Sequence, residues 1–317
     1  MIMRRGLASA RRARPVAILC VARAVPLNPL EAEEVAVDWI TSACPEGVYA
    51  TVTSVGNRQR LHGLSARCDR LAQAAGVLKH GELRDTEISA ASSQYAASLR
   101  QALIDHSTAV KSLPGREFTI TMHAAAEDEV VRILVQPSPV PPAPPLDAEF
   151  SPPLDHRRRD PTEVHRGADG SWRTPLVHPT LNAADKGADV EERLLRDHHD
   201  RIIEGLNSNF FVVCGEGKLW TAAEEEGAYG GSVRAAVLRL ARTSGLFSDV
   251  IERAPTAHGL GAGEWQEAWL TCMHRRVAPL ARIHDGNGWV ALAGSERGER
   301  MRVLLDEEMV ERGEEFA

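Results

Sequence analysis

The residues best suited to chemistry lie in one stretch of the second half of the chain, Glu204–Val213. An acidic residue and a glycine end a short apolar run there, and a polar cluster separates it from a second apolar run. We therefore expect a strand, a tight polar crossing and another strand. Glycine at a strand end lets a ligand approach the backbone closely. Glu204 can pair with a protonated ring nitrogen of a heterocyclic cofactor, or it can be a solvated carboxylate at a turn.

Two further segments offer groups that bind anions. Gly230–Arg234 opens a predicted helix, where free backbone N–H groups and the positive end of the helix dipole attract negative charge. Glycine and serine also open many helices simply as caps. Thr271-Cys272-Met273 ends a predicted strand and supplies more N–H groups, or forms an ordinary turn between a strand and a loop.

Composition limits the class of protein. The chain has 317 residues, of which 43% are hydrophobic, so it can form one large domain or two of ordinary size with packed cores. Its net charge of −7 argues against a nucleic-acid partner. No apolar run reaches the roughly 18 residues that span a membrane, so no membrane partner is expected. The five cysteines form no CxxC pair, which indicates neither a metal site nor a disulfide framework.

The beginning of the chain is basic. Its first 30 residues contain no Asp or Glu, and they contain the arginines Arg4, Arg5, Arg11, Arg12, Arg14 and Arg23. An Arg-rich, acid-free start is similar to an organelle transit peptide, which would place the protein in a mitochondrion or plastid. The alternatives are a basic disordered tail, or a first strand at Pro15–Val21, and both are compatible with the cytoplasm.

Hydrophobic spacing predicts helices and strands in both halves of the chain. The predicted helices are Leu30–Ala43, Leu61–Leu78, Ser89–Ile104, Gly231–Ser244 and Arg297–Arg312. The predicted strands are Val48–Val55, Phe118–Met122, Val130–Val135, Arg193–Arg196, Arg201–Ile203, Phe210–Cys214, Lys218–Thr221, Val250–Arg253, Trp269–Thr271 and Val277–Ile283. Arg67 and Arg70 lie on the polar side of their helix.

A proline-rich stretch from Pro137 to Pro153 separates the halves, and such a stretch is typical of a stiff connector. The expected organisation is a basic segment at 1–28, a small α+β domain at 29–136, a linker at 137–165 and a large α+β domain at 166–317.

Five motifs in this order resemble the class IV aminotransferases, the fold-type IV enzymes that use pyridoxal 5'-phosphate (PLP). The family includes branched-chain and D-amino acid aminotransferases and aminodeoxychorismate lyase, and the resemblance is closest to a divergent branch known from plants. It runs from about Pro45 to Ile283. The matching segments are Gly47-Val48-Tyr49, Asp69-Arg70-Leu71, Glu204–Phe210, Gly231–Arg234, and Trp269–Thr271 through Ala278-Pro279-Leu280.

This resemblance implies a two-domain α+β architecture like that of D-amino acid aminotransferase. It implies that Tyr49 faces the substrate, that Arg70 holds the cofactor phosphate and that Glu204 pairs with the pyridine nitrogen. The rest of the implied cofactor pocket is Ser208, Asn209, Gly231, Ser232, Val233, Thr271 and Cys272. The implied substrates are a small amino acid and a keto acid, and the implied assembly is a homodimer.

The chain departs from the family at the lysine that binds the cofactor covalently. In the plant branch this lysine stands four residues before a Trp, which corresponds here to Ala168, four residues before Trp172. No lysine lies between Lys111 and Lys186, and Lys186 is 18 residues before Glu204. Arg166 cannot replace a lysine, because its guanidinium stays protonated.

The expected phosphate site differs from the family as well. Cys272-Met273 stands where the family has hydroxyl-bearing residues, and Val233 replaces a threonine. Three interpretations follow. The chain is an active PLP-dependent transferase or lyase that uses Lys186, or a catalytically inactive homologue that serves as a ligand-binding or dimeric scaffold. In the third, it is a globular protein whose motif matches are coincidental.

Overall fold

The computed structural model describes residues 17–21, 39, 44, 47–80, 85–125, 130–138, 145–154, 190, 192–206, 208–273 and 275–315. Helices and strands form two sheets with their own cores, so the chain has the α+β class expected from its sequence. In the part of the chain that the structure describes, no helix is both long and apolar enough to cross a membrane.

The first sheet has six strands in the spatial order β1-β5-β4-β2-β3-β15. Their bounds are β1 (Ala17–Val21), β2 (Gly47–Val55), β3 (Arg60–His62), β4 (Phe118–Ala125), β5 (Val131–Pro137) and β15 (Glu314–Glu315). The helices α1 (Leu64–His80), α2 (Asp85–Asp105) and α3 (Ser107–Lys111) accompany this sheet.

The core of this first half follows from side-chain periodicity. On α1, Leu64, Cys68 and Leu71 recur at helical spacing and are buried. They share a core with alternate residues of the strands, including Val52 and Ile120. Because side chains alternate across a strand, the odd-numbered residues of β2 point to the opposite face of the sheet.

The second sheet has nine strands, with β11-β10-β9-β12-β13-β6-β7-β8 as its path and β14 beside β13. Their bounds are β6 (Leu146–Leu154), β7 (Glu192–Asp197), β8 (Ile202–Gly205), β9 (Asn209–Cys214), β10 (Lys218–Thr221), β11 (Asp249–Glu252), β12 (Trp265–Cys272), β13 (Arg276–His284) and β14 (Trp289–Ala291). Because β8 also pairs with β9, the strands from β9 to β8 close into a ring.

The closed strands have two hydrophobic sides. Phe210, Val212 and Leu270 pack together in one cluster, and Phe211 and Trp269 belong to another. The second cluster includes residues of the helices α4 (Ser232–Thr243) and α6 (Glu296–Glu311). The second half also has the short α-helix α5 (Ala257–Gly261).

The two halves meet along α6 and the end of the chain. Val55 of β2 packs in the same cluster as Met309 of α6. Beyond α6, β15 pairs with β3, and its Glu314 accepts hydrogen bonds from the backbone and hydroxyl of Ser65, each at 2.8 Å. The last described residues therefore complete the first sheet.

The structure differs from the sequence prediction in the linker. Residues 137–165 were expected to form a connector, yet Leu146–Leu154 form β6, which pairs in parallel with both β13 and β7. Its register with β7 shifts between Phe150 and Pro153, where a missing N–H does least harm to the ladder. At the beginning of the chain, β1 confirms the alternative of a first strand. Apart from Trp39, the predicted helix Leu30–Ala43 lies outside the described residues.

Candidate functional site

Glu204 lies at the end of β8, where the predicted strand, crossing and strand are confirmed. It pairs with Asn209, the first residue of β9. Its side chain is buried, and Oε2 accepts hydrogen bonds from the backbone N–H of Tyr229 at 3.0 Å and from Asn209 Nδ2 at 3.4 Å. Asn209 Nδ2 also donates to the carbonyl of Tyr229 at 2.8 Å. The carboxylate and the amide therefore fix both sides of the Tyr229 backbone.

The crossing between β8 and β9 is held by a buried carboxylate, Glu192. Ser208 Oγ donates to Glu192 Oε2 at 3.0 Å, and the N–H of Leu206 donates to Glu192 Oε1 at 3.1 Å. Within the crossing, the N–H of Gly205 donates to the carbonyl of Ser208 at 2.7 Å. The hydroxyl of Ser208, which the resemblance assigns to the cofactor, is thus bonded to Glu192.

Arg275 extends this network to the end of β12. Its Nη1 lies 3.0 Å from Glu192 Oε2, and both side chains are almost completely excluded from solvent, at 2% and 0% exposure. The N–H of Arg275 donates to Cys272 Sγ at 3.4 Å. Glu192 and Arg275 therefore connect the crossing that follows Glu204 with the segment of Thr271 and Cys272.

Two arginines of α1 reach the same region from the first half. Arg70 Nη1 donates to the hydroxyl of Tyr229 at 3.1 Å, and Nη2 donates to the carbonyl of Gly230 at 2.8 Å. Arg67 Nη2 donates to Ser232 Oγ at 2.6 Å. Burial lowers the pKa of Arg67, as does the nearby charge of Arg70, whereas Tyr229 raises it. Tyr229 therefore connects the two predicted site residues, Glu204 through its backbone and Arg70 through its hydroxyl.

The first turn of α4 stands beside these arginines. Gly231 is its N-cap, and a Cβ at this position would lie 3.2 Å from Asn209 Oδ1, so the glycine allows Asn209 to approach the helix end closely. The side chain of Val233 is buried in the hydrophobic core, which leaves only its backbone N–H for a ligand. The N–H groups of this turn and the helix dipole favour an anion.

Thr271 completes this region from β12. It is paired with Asn209 of β9, so the two side chains lie next to each other on one face of the sheet. Thr271 is 1% exposed, and its hydroxyl has no hydrogen-bond partner among the described residues. A buried hydroxyl without a partner is costly in free energy, so this atom is suited to a ligand.

Two further residues were predicted for the site, Tyr49 and Lys186. Tyr49 lies on β2 opposite His123 of β4, on the sheet face that points away from the first core. Lys186 lies outside the described residues. The structure thus brings Arg70, Glu204 and Asn209 together with the elements that carry Gly231–Val233 and Thr271.

Sequence reasoning missed Arg67, Tyr229 and Glu192. Only Arg67 had a usable signal, because it precedes Arg70 by three positions on the same face of a helix. The sequence neighbours of Tyr229 and Glu192 give no indication of their contacts, which depend on how distant strands pair.

Comparisons with known proteins agree with this architecture. The family model described as amino-transferase class IV matches residues 47–283. Among solved structures, a branched-chain aminotransferase from Thermoproteus uzoniensis with norvaline has 17% identity and a TM-score of 0.58, covering 90% of this chain and 95% of that one. A putative branched-chain amino acid aminotransferase from Thermotoga maritima has 18% identity and a TM-score of 0.56, covering 89% and 91% of the two chains.

A hypothetical aminotransferase from Mycobacterium tuberculosis, solved in a PLP-bound form, has 18% identity and a TM-score of 0.56, covering 84% of this chain and 89% of that one. A search of curated proteins finds no match. The similar structures confirm the predicted fold of a fold-type IV enzyme, and the family model covers well over half of the sequence. The chain therefore belongs to the class IV aminotransferase family.

Proposed function

We propose that this protein binds PLP between Arg70 and Glu204 and holds it without a covalent bond. The observation that carries the proposal is the position of Tyr229, whose two ends contact a guanidinium and a buried carboxylate. PLP has the complementary groups, a phosphate at one end and a basic ring nitrogen at the other. Family membership supports this cofactor, and one similar protein was solved with it.

The residues present fit the phosphate. Arg70 supplies a positive charge, and the first turn of α4 supplies N–H groups. Thr271 supplies a buried hydroxyl that has no partner in the described part of the chain. Charge-assisted hydrogen bonds of this kind are among the strongest that proteins make. They compensate for the hydroxyl groups that the family has where this chain has Val233 and Cys272.

Glu204 fits the ring nitrogen. When bound, PLP supplies an electron-accepting ring, which works best with a protonated nitrogen. A carboxylate beside the nitrogen stabilises that proton. The hydrogen bonds from Tyr229 and Asn209 hold the Glu204 side chain in place for this role.

The proposal of non-covalent binding rests on the lysines. The resemblance to the plant-like branch puts Ala168, four residues before Trp172, at the position of the family's lysine. Two lysines have described side chains, and neither belongs to the site. Lys218 bonds to Glu216 at 2.7 Å on a surface turn, and Lys111 ends α3. In this proposal the protein is a PLP-binding homologue rather than a transferase.

A second candidate is an active enzyme, a homodimer that moves an amino group between a small amino acid and a keto acid through Lys186. One observation favours it. Lys186 precedes Glu192 by six positions, and the Glu192 side chain lies at the crossing beside the site. A lysine there would form the covalent bond and move the proton.

Reduction with borohydride separates the two candidates. Purified protein is soaked with PLP, reduced and examined by intact-mass and peptide mass spectrometry, beside the variants Lys186→Ala and Lys218→Ala. Non-covalent binding predicts PLP that the protein retains at equilibrium with free PLP but that is absent from the reduced peptides. A modification confined to Lys186, with an amino-group turnover that Lys186→Ala abolishes, would support the active enzyme. Failure to retain PLP would contradict both candidates.

A further inference from the structure

We propose that Arg67 is a second phosphate-binding guanidinium of this site, and that Arg67, Arg70 and Ser232 together select a ligand that carries a phosphate dianion. This inference rests on the proposed function, because it deepens the description of the same pocket. Arg67 lies outside the motifs that indicated the pocket, and its contacts in the folded chain place it there.

Arg67 and Arg70 act on the same short segment. They are three positions apart on α1, so their side chains emerge from one face of the helix. Arg67 reaches Ser232 in the first turn of α4, and Arg70 reaches Gly230 just before that turn. Two guanidinium groups therefore stand at the end of a helix that already favours negative charge.

No counter-ion for these two charges is found in the described part of the chain. Of its ion pairs, none involves Arg67 or Arg70, whereas buried Arg234 and Arg275 each pair with a glutamate. A guanidinium keeps its positive charge in proteins. Two like charges that are partly buried and close together are unfavourable until an anion joins them. A dianion offsets both charges at once.

Arg67 also has donor capacity that the protein leaves unused. Its Nε is buried and has no hydrogen-bond partner among the residues that the structure describes. Because Ser232 Oγ accepts from Arg67 Nη2, the hydroxyl hydrogen of Ser232 is directed elsewhere and can be donated. The unpartnered hydroxyl of Thr271 lies on the neighbouring part of the site, beside Asn209 and hence beside Gly231. These donors all suit phosphate oxygens.

The arrangement explains how the chain binds phosphate despite its departures from the family. Val233 and Met273 have no hydroxyl groups, and both side chains are in the hydrophobic core. Arg67 and Ser232 supply replacement donors from two different helices, α1 and α4. In this proposal the phosphate donors come from α1 and α4 as well as from Thr271 at the strand end.

The test compares three ligands by calorimetric titration: PLP, unphosphorylated pyridoxal and inorganic phosphate. The proteins are the wild type, Arg67→Ala, Arg67→Lys and the matched control Arg302→Ala, which removes a guanidinium that bonds to Glu299 and Asp306 on α6. We expect Arg67→Ala to weaken PLP and phosphate binding by about 10- to 100-fold, as loss of a charged hydrogen-bond donor does. Pyridoxal binding should not change, Arg67→Lys should recover part of the loss, and Arg302→Ala should match the wild type.

Circular dichroism and melting curves of each variant check the fold. If Arg67→Ala does not fold, Arg67→Lys, which retains the charge, takes its place in the test. The inference would be overturned if Arg67→Lys bound PLP as tightly as the wild type and Arg67→Ala kept the wild-type preference for PLP over pyridoxal. That result would leave the proposed function standing. A wild type that binds phosphate through Arg67 but does not bind PLP would contradict the proposed function and support the inference.

Discussion

At the scale of single residues, the site depends on close contacts that leave little free space. Gly205 follows Glu204 directly, and a Cβ at this position would lie 2.3 Å from Ser208 Oγ and 3.1 Å from Glu192 Cδ. A distance near 2.3 Å is far below van der Waals contact, so a larger residue must displace Ser208. The glycine is therefore required by packing, in addition to the backbone access that the sequence suggested.

We expect Gly205→Ala to lower the free energy of unfolding by about 1–3 kcal/mol, the usual cost of overpacking a tight site. Urea denaturation measures this difference. Gly294→Ala is the matched control, because no atom lies within 4 Å of its added Cβ. Equal stability of the two variants would show that the crossing adapts and that Gly205 has no packing role.

Single residues also show why part of the site could be predicted from sequence. Glu204 and Arg70 belong to short motifs whose spacing is visible along the chain. Tyr229 joins them only because β8, α1 and the segment before α4 meet in space. Contacts of this kind depend on pairing between distant segments, which no local pattern in one sequence encodes.

At the scale of elements, the Glu192–Arg275 pair sets the position of the crossing. Glu192 is the first residue of β7, and Arg275 precedes β13, so the pair joins two strands that are not neighbours in the sheet. The Glu192 carboxylate also accepts hydrogen bonds from the hydroxyl of Ser208 and from backbone N–H groups. Such a network is costly to break from one side, because the remaining charge is left buried.

Replacing Glu192 with Gln should therefore destabilise the protein by about 3–5 kcal/mol, whereas replacing Glu192 and Arg275 together with Leu and Met should cost much less. Urea unfolding of the single and double variants measures the coupling. Lys218→Ala breaks an exposed ion pair with Glu216 and serves as the control with unchanged stability. If the double variant is as unstable as the single one, the pair is not the source of the effect.

The elements themselves were predictable where hydrophobic periodicity is regular. The alternation in β2 and the helical spacing in α1 gave both elements to within a few residues. The strand β6 was missed because its prolines are typical of a connector, whereas its neighbours β13 and β7 hold it in the sheet on both sides. Pairing on two sides outweighs a local preference against strand structure.

At the scale of the whole molecule, the candidate site lies where the two halves meet. Arg67 and Arg70 come from the first half, and Tyr229, Glu204 and α4 come from the second. Arg276 also connects the two halves, because its guanidinium donates to Glu117 of the first half and to Asp306 of α6. A ligand that joins both halves therefore stabilises their contact as well as its own position, because binding to the native state adds to its stability.

The most direct measurement of the central claim is a calorimetric titration of PLP into the wild type, Arg70→Ala and Glu204→Gln. We expect one PLP per chain for the wild type. We expect an affinity lower by about 10-fold or more in each variant, since each loses a charged partner of the ligand. Titration with pyridoxal should distinguish the roles of the two residues. Arg70→Ala should not affect pyridoxal binding, whereas Glu204→Gln should weaken it. Unchanged PLP affinity in both variants would contradict the proposed PLP site. A wild type that does not bind PLP would contradict it as well.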